Sequence, residues 1–321
     1  MNKTDKTQKT DVINNLNKNY KQFSFDFIKN RNIFFIITAV IFVVGLVSFF
    51  VRGFNWDIDF VGGTIMEFNI GKNLESSDLD EIRECVVDVL GSGMVSSVVR
   101  SGTPPQQVII KSKHVETEQR NRVYDALSAK YDLTTDDIYR SFNVNPTVGA
   151  ALTKNAILSV SLAALLMLLY ITVRFEVRSG IASVLCLIFD LYVMLAFYSL
   201  FQVSMDSAVI AAFLTILGYS INATIITFDR VRENVKLKKG SGMKFNEIVN
   251  ISINQTLARS INTTLTVLMT IACVMILGVA SIRTFVLPLF VGISSGMFSS
   301  ICLSGPLWDL FTGDKEIKIK G

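Results

Sequence analysis

The chain has 321 residues, half of them hydrophobic, with a mean hydropathy of +0.44 and a net charge of +4. A water-facing surface on a chain this long needs more than 18% charged residues, and those present are bunched, leaving long stretches almost bare. An ordinary soluble enzyme is therefore excluded, and lipid is the expected solvent for much of the chain. The small positive balance comes with no basic stripe interleaved with aromatics, so a nucleic-acid surface is not expected.

Of the four cysteines, Cys186, Cys273 and Cys302 lie in apolar segments and Cys85 lies outside them, which gives neither a disulfide framework nor Cys-x-x-Cys metal spacing. His114 is the single histidine, so no histidine metal site or relay can be built, and a proton carrier has to be a carboxylate. Neither G-x-x-x-x-G-K-[ST] nor G-x-S-x-G occurs. The expectation is a protein that is no enzyme and holds no cofactor and no metal.

In chain order, 1–32 is polar and Lys/Asn-rich and reads as a tail rather than a cleaved signal peptide. The uncharged run 33–51 matches a hydrocarbon core of ~30 Å at about 1.5 Å per residue. Five further segments qualify as membrane spans: 156–173, 180–201, 207–228, 260–279 and 285–310. Together they give six transmembrane helices, with 52–153 as a separate water-exposed domain, 154–311 as the main membrane unit and 312–321 as a second tail. The last span holds Pro288, Gly292, Gly296 and Pro306, which neighbouring helices have to tolerate.

Within 52–153, Thr64–Ile70 alternates like a strand, and Ser77–Leu90 starts with a capping-box-like Ser77-x-x-Asp80 and stops at Gly91. Val95–Arg100 and Gln107–Lys111 read as strands joined by the turn Ser101-Gly102-Thr103-Pro104-Pro105. Thr117–Tyr131 reads as a helix and Ile138–Val144 as a last strand. The order β-α-β-β-α-β predicts a ferredoxin-like α+β domain.

Lys and Arg crowd the N-terminal tail (Lys3, Lys6, Lys9, Lys18, Lys21, Lys29, Arg31). They recur at Arg174 and Arg178, in the connection 229–255 (Arg230, Arg232, Lys236, Lys238, Lys239, Lys244), and at Lys315, Lys318 and Lys320. With six spans all four segments fall on one side, predicted to be the cytoplasm, with both termini there. The stretch 52–153 holds ten Lys/Arg against fifteen Asp/Glu, a balance suited to the outer side.

Polar residues inside the spans are the candidate functional groups. Arg259, Asn262, Thr263, Thr266 and Thr270 follow i, i+3, i+4, i+7, i+11 spacing, one face of the fifth span. Thr215, Gly218, Tyr219 and Asn222 form a matching row on the fourth, and the two rows are expected to turn toward each other or toward a watery path. Asp190 lies about eleven residues into its span, near the bilayer centre, where a carboxylate is costly and marks function by default. Asp59, Gly62 and Gly63, just after the first helix, supply a flexible paired-glycine turn.

Five stretches now carry a resemblance: DIDFVGGTIMEF from Asp57, FNVNPTVGAALTKNAI before the second span, RFEVRSGIASVLCLIFD into the third, GYSINATIITFDRVREN in the fourth, and INQTLARSINTTLT in the fifth. In order, from Phe27 to Leu310, they resemble the SecF proteins of the SecD/SecF family in the RND superfamily. The resemblance implies an RND-type half-transporter of the bacterial inner membrane that pairs with SecD and associates with the SecYEG channel. It further implies that the pair uses the proton or another ion gradient to help pull preproteins across, with membrane lipid around it. Two residues depart from the family pattern: Asp57 stands where Gly is usual, and Ala223 stands where an intramembrane Asp, the proposed proton carrier, is usual. Arg259 matches the family arginine and has lost that counter-ion, leaving Asp190 or a SecD carboxylate as candidate partners. Two other readings stay open: a non-conducting scaffold subunit, favoured by Ala223, and an RND exporter of lipids or small molecules.

Overall fold

The structure, a computed structural model, describes residues 25–101, 107–134, 137–144, 146–174, 176–237, 243–278 and 280–313. The turn 102–105 and the lysines of both tails, with Lys238 and Lys239, lie outside the described residues, apart from Lys29.

Six helical segments are long and apolar enough to cross a membrane: Arg31–Arg52, Gly149–Arg174, Val177–Phe201, Ala208–Leu237, Phe245–Leu277 and Phe285–Thr312. They lie in helix α1 (Arg31–Arg52) and, beyond the α+β domain, in α5 (Pro146–Arg174), α6 (Val177–Phe201), α7 (Ala208–Leu237), α8 (Phe245–Leu277) and a composite last span. The chain is thus a multi-pass membrane protein. α1 and α5 bury few side chains in this chain, and leave Val43, Phe50, Leu165 and Leu169 exposed, as lipid-facing helices do. The centre of the bundle is an apolar cluster of Ile171, Leu187, Leu217, Phe228, Val249, Ile253 and Trp308, with the Phe228 and Trp308 rings 4.7 Å apart.

Two helices run well past their apolar stretches, so the connection 229–255 is mainly helical rather than loop. Polar bonds hold these extensions together. Asn234 donates to Ser252 Oγ and to Gln255 Oε1, both at 2.8 Å, and Arg230 also donates to Gln255. The last span, read as one continuous helix, is α9 (Ala280–Phe298), a π turn (Ser299–Leu303) and α10 (Ser304–Thr312). Pro306 supplies the reason: its ring would strike the carbonyl of the residue four before it, and a widened turn over Ser299–Leu303 relieves that clash.

Between α1 and α5 lie the short helix α2 (Ile58–Val61), strand β1 (Gly63–Asn69), α3 (Ser76–Leu90), β2 (Val95–Ser101), β3 (Gln107–Ser112), α4 (Thr117–Tyr131) and β4 (Ile138–Val144). The sheet order is β2-β3-β1-β4 with antiparallel neighbours throughout, the split β-α-β arrangement of a ferredoxin-like domain. Alternation along β1 and β3 points Met66, Phe68, Val108 and Ile110 inward against Ile82, Val86, Val123 and Leu127 of the two helices. Each such side chain contributes about 1.5–3 kcal/mol when fully buried. The start of α3 differs from the sequence reading. Its capping box is Glu75 with Asp78, not Ser77 with Asp80, and Asp78 accepts the Glu75 N–H at 2.8 Å. That N–H and then the Lys72 ammonium hold the Asp78 carboxyl below its usual range.

Candidate functional site: a caged carboxylate, an open polar face and a stitched junction

Asp190 sits on the inner face of α6, fully buried. Its Oδ1 accepts the Ser295 hydroxyl at 2.7 Å, and its Oδ2 accepts Ser220 at 2.5 Å and Ser299 at 2.8 Å. Three elements converge on it: α6 brings the carboxylate, α7 brings Ser220, and the last span brings Ser295 and Ser299 one helical turn apart. The π turn begins at Ser299, so the break that accommodates Pro306 also sets the aim of this hydroxyl. Gly296 lets the last span close on α7, since a Cβ there would stand 3.3 Å from Ser220 Cβ. An apolar pocket of about 360 Å³, walled by Ile41, Phe189, Val193 and Phe290, reaches Ser295 from the side of α1.

The row on α8 receives the opposite treatment. Arg259, Asn262, Thr263, Thr266 and Thr270 are exposed, as are Thr215, Gly218 and Asn222 on α7. The threonines satisfy themselves within their helix: Thr263 donates to the Arg259 carbonyl at 2.7 Å, Thr266 to Thr263 at 2.8 Å and Thr270 to Thr266 at 3.0 Å. Arg259, Asn262 and Asn222 bond to nothing among the described residues, and the Tyr219 hydroxyl is buried without a partner. The two rows do not bond to each other, and Asp190 does not pair with Arg259; its oxygens are already taken by hydroxyls. Ala223 lies on the buried face of α7 with Ser220 and Thr224, away from this surface.

The paired-glycine turn forms the joint between domain and bundle. Asp57 caps α2, its Oδ1 accepting the Ile58 N–H at 2.6 Å and its Oδ2 holding Lys111 Nζ of β3 at 2.6 Å. The Asp57 N–H donates to the Met205 carbonyl at 3.0 Å, Met205 N–H returns to Asn55 at 2.9 Å, and Asp59 Oδ2 accepts the Ser207 N–H at 3.0 Å. Residues 55–59 are thereby stitched to the turn between α6 and α7. Gly62 ends α2 at φ 79°, a conformation that L side chains rarely adopt. A Cβ on Gly63 would collide with the Ser112 carbonyl, and one on Gly149 of α5 with the Phe60 carbonyl.

Sequence reading missed Ser220, Ser295, Ser299, Ser207, Lys111 and Gly149. One signal was available. Gly292, Ser295, Gly296 and Ser299 are small residues spaced by three and four in a span, the pattern of a close helix–helix contact. Nothing local links Lys111 to Asp57, which only the sheet brings together.

Comparison with known proteins gives a consistent answer. Residues 124–314 match the profile of protein export membrane protein SecD/SecF, C-terminal, and residues 47–72 match the SecD/SecF GG motif, which spans Asp59, Gly62 and Gly63. The chain is 36% identical to the protein translocase subunit SecF of Sebaldella termitidis, covering 87% of this chain and 89% of that one. It is 37% identical to SecF of Acidaminococcus fermentans, covering 89% and 97%. It also aligns with the crystal structure of SecDF, a translocon-associated membrane protein from Thermus thermophilus, at TM-score 0.73 and 32% identity. That alignment covers 89% of this chain but spans only 38% of the SecDF chain. With six spans, an inserted ferredoxin-like domain and a GG motif at their joint, the chain belongs to the SecD/SecF family of protein export membrane proteins, with the SecF subunits as its counterparts.

Proposed function

We propose that this chain is the SecF-type half of a SecD–SecF complex in the bacterial inner membrane, working beside SecYEG to move preproteins outward with ion flow rather than ATP. The observation that carries this reading is the open face of Arg259, Asn262 and Asn222. A guanidinium and two amides without partners are unfavourable in hydrocarbon, so the face calls for another membrane protein that brings acceptors and a carboxylate. SecD supplies such a surface. In this reading both termini and the extensions of α7 and α8 are cytoplasmic and the ferredoxin-like domain faces outward, where it meets the emerging preprotein.

The stitched joint supports the mechanical part. The turn after α6 grips residues 55–59, and Lys111 ties the same segment to the sheet. A tilt of α6 or α7 would therefore be passed to the domain instead of being lost in a slack linker. Moving one charge across 100 mV yields about 2.3 kcal/mol, so a few ions drive a substantial domain movement.

The test is secretion of a reporter preprotein from a strain lacking its own SecF, with and without an uncoupler, together with recovery of SecD on affinity purification. The reading expects near-equal SecD and an uncoupler-sensitive gain in secretion. A stable chain free of SecD, or a gain indifferent to the uncoupler, overturns it. The second outcome is what the scaffold reading requires, and Ala223 is the residue that favours that reading. An exporter of lipids or small molecules fits less well, because Met66, Phe68, Val108 and Ile110 pack the centre of the domain as an apolar core. Orientation is checked by labelling intact cells with an impermeant thiol reagent: Cys85 in unfolded-control protein sets the maximum, and a cysteine placed at Lys238 is expected to stay unlabelled.

A further inference from the structure

We propose that Asp190, and not the position held by Ala223, is the group in this chain that takes up and releases a proton, with Ser299 as the rotor that accommodates both forms. The proposal rests on the ion-driven reading above and names its site.

The geometry carries it in three steps. First, Asp190 is fully buried in a membrane span and has no ion-pair partner among the described residues, while three hydroxyls hold both of its oxygens. Burial disfavours the charged carboxylate and the hydroxyl donors favour it, so neither form is excluded by its surroundings. Second, the cage can serve either form without moving a heavy atom. Ser299 Oγ stands 2.8 Å from Asp190 Oδ2 and 3.2 Å from the Gly296 carbonyl, yet a hydroxyl has one hydrogen. With the carboxylate ionised, that hydrogen points to Oδ2. When a proton is added to Oδ2, the new O–H donates to Ser299 Oγ and the Ser299 hydrogen turns to the Gly296 carbonyl. One proton enters, no other covalent bond is made or broken, and release reverses the turn. Ser220 and Ser295 have Asp190 as their acceptor and keep the carboxyl in place throughout.

Third, the surroundings suit a proton better than a metal ion. The hydroxyls already lie within direct hydrogen-bond range of the carboxylate, and no group of three His, Cys, Asp or Glu side chains able to hold a metal ion occurs among the described residues. The titratable neighbour on α6 is the Cys186 thiol, one turn earlier. α7 presents Ser220, Ala223 and Thr224, and α1 presents Phe34, Phe35 and Ile41. The last span and α10 present Ser295, Ser299 and Leu307, with the Cys302 thiol farther along, and α5 turns Lys154 and Tyr170 to the surface. Among the described residues these elements present no charged group to Asp190. The site is also well placed to act: Ser299 opens the π turn, and α6 runs as one rigid helix from Asp190 to the turn that grips Asp57 and Asp59, about 18 Å away at the helical rise.

The experiment is infrared difference spectroscopy of the reconstituted complex with SecD, titrated with acid. A carboxylic C=O band is expected to appear on acidification, vanish in D190N and move in frequency in D190E. In S295A the band should survive to about one pH unit higher, because the charged form has lost a donor. D190E assigns the band even where D190N assembles poorly. A band untouched by D190N and D190E, or one that sodium ions abolish at constant pH, overturns the proposal. The secretion assay separates the two claims. A band absent from Asp190 while the uncoupler still removes this chain's contribution sinks the site alone. A band assigned to Asp190 while secretion ignores the uncoupler upholds the site and sinks ion-driven export.

Discussion

Asp190 and Arg259 are both charged-type residues in membrane spans, and the chain treats them in opposite ways. The region around Asp190 is closed: small residues bring three elements together, and serine hydroxyls meet each oxygen of the carboxylate. The region around Arg259 is open: the threonines fold back on their own helix, and the guanidinium, Asn262 and Asn222 have no partners among the described residues. A polar group answered within its own chain is a candidate for internal chemistry. One left unanswered in lipid is a candidate for assembly.

The largest effect should come from emptying the closed region. Asp190→Ala removes the acceptor of three buried hydroxyls and leaves a void, and is expected to destabilise the chain by about 4 kcal/mol in detergent unfolding. Arg259→Ala, which breaks no bond within the chain, should stay within about 0.5 kcal/mol of wild type in the same measurement. Equal losses for the two would erase the distinction. The complement is function: Arg259→Leu is expected to lose SecD in purification and to reduce reporter secretion to the level of the strain without this subunit.

Asp57 asks whether a buried carboxylate outside the spans obeys the same logic. Its side chain is 4% exposed and is answered by Lys111 at 2.6 Å, so Lys111→Met strands a charge and should cost about 3 kcal/mol. Because that bond joins sheet to joint, the variant should also open residues 55–59 to hydrogen exchange while the domain core stays protected. An unchanged exchange pattern would remove the joint from the mechanical account.

Smaller effects should come from two glycines. Gly296→Ala sets a methyl 3.3 Å from Ser220 Cβ, inside the closed region, and should cost about 1–2 kcal/mol. Gly218→Ala meets nothing within 4 Å, and should leave the isolated chain unchanged while weakening recovery of SecD. Should Gly218→Ala bind SecD like wild type, the partner surface lies elsewhere on the bundle.

The sequence by itself determined the number of spans, the element order of the inserted domain and the family, because each rests on local or repetitive signals. Nineteen or so uncharged residues have to span a bilayer. Strand alternation and helix stops recur at fixed offsets, and the family motifs lie in unbroken runs. It also marked Asp190 and Arg259 as unusual from their position in apolar segments. What each of them does was decided by tertiary structure alone. Asp190 meets Ser220 thirty residues on and Ser299 more than a hundred residues on, and Arg259 meets neither Asp190 nor the row on α7. Which face of a span turns inward depends on where small residues allow the helices to close, and the π turn ahead of Pro306 rotates Ser299 into place. Those are contacts between distant segments. No periodicity within one helix can state them, because in lipid a polar stripe is equally compatible with an internal cage and with a partner's surface.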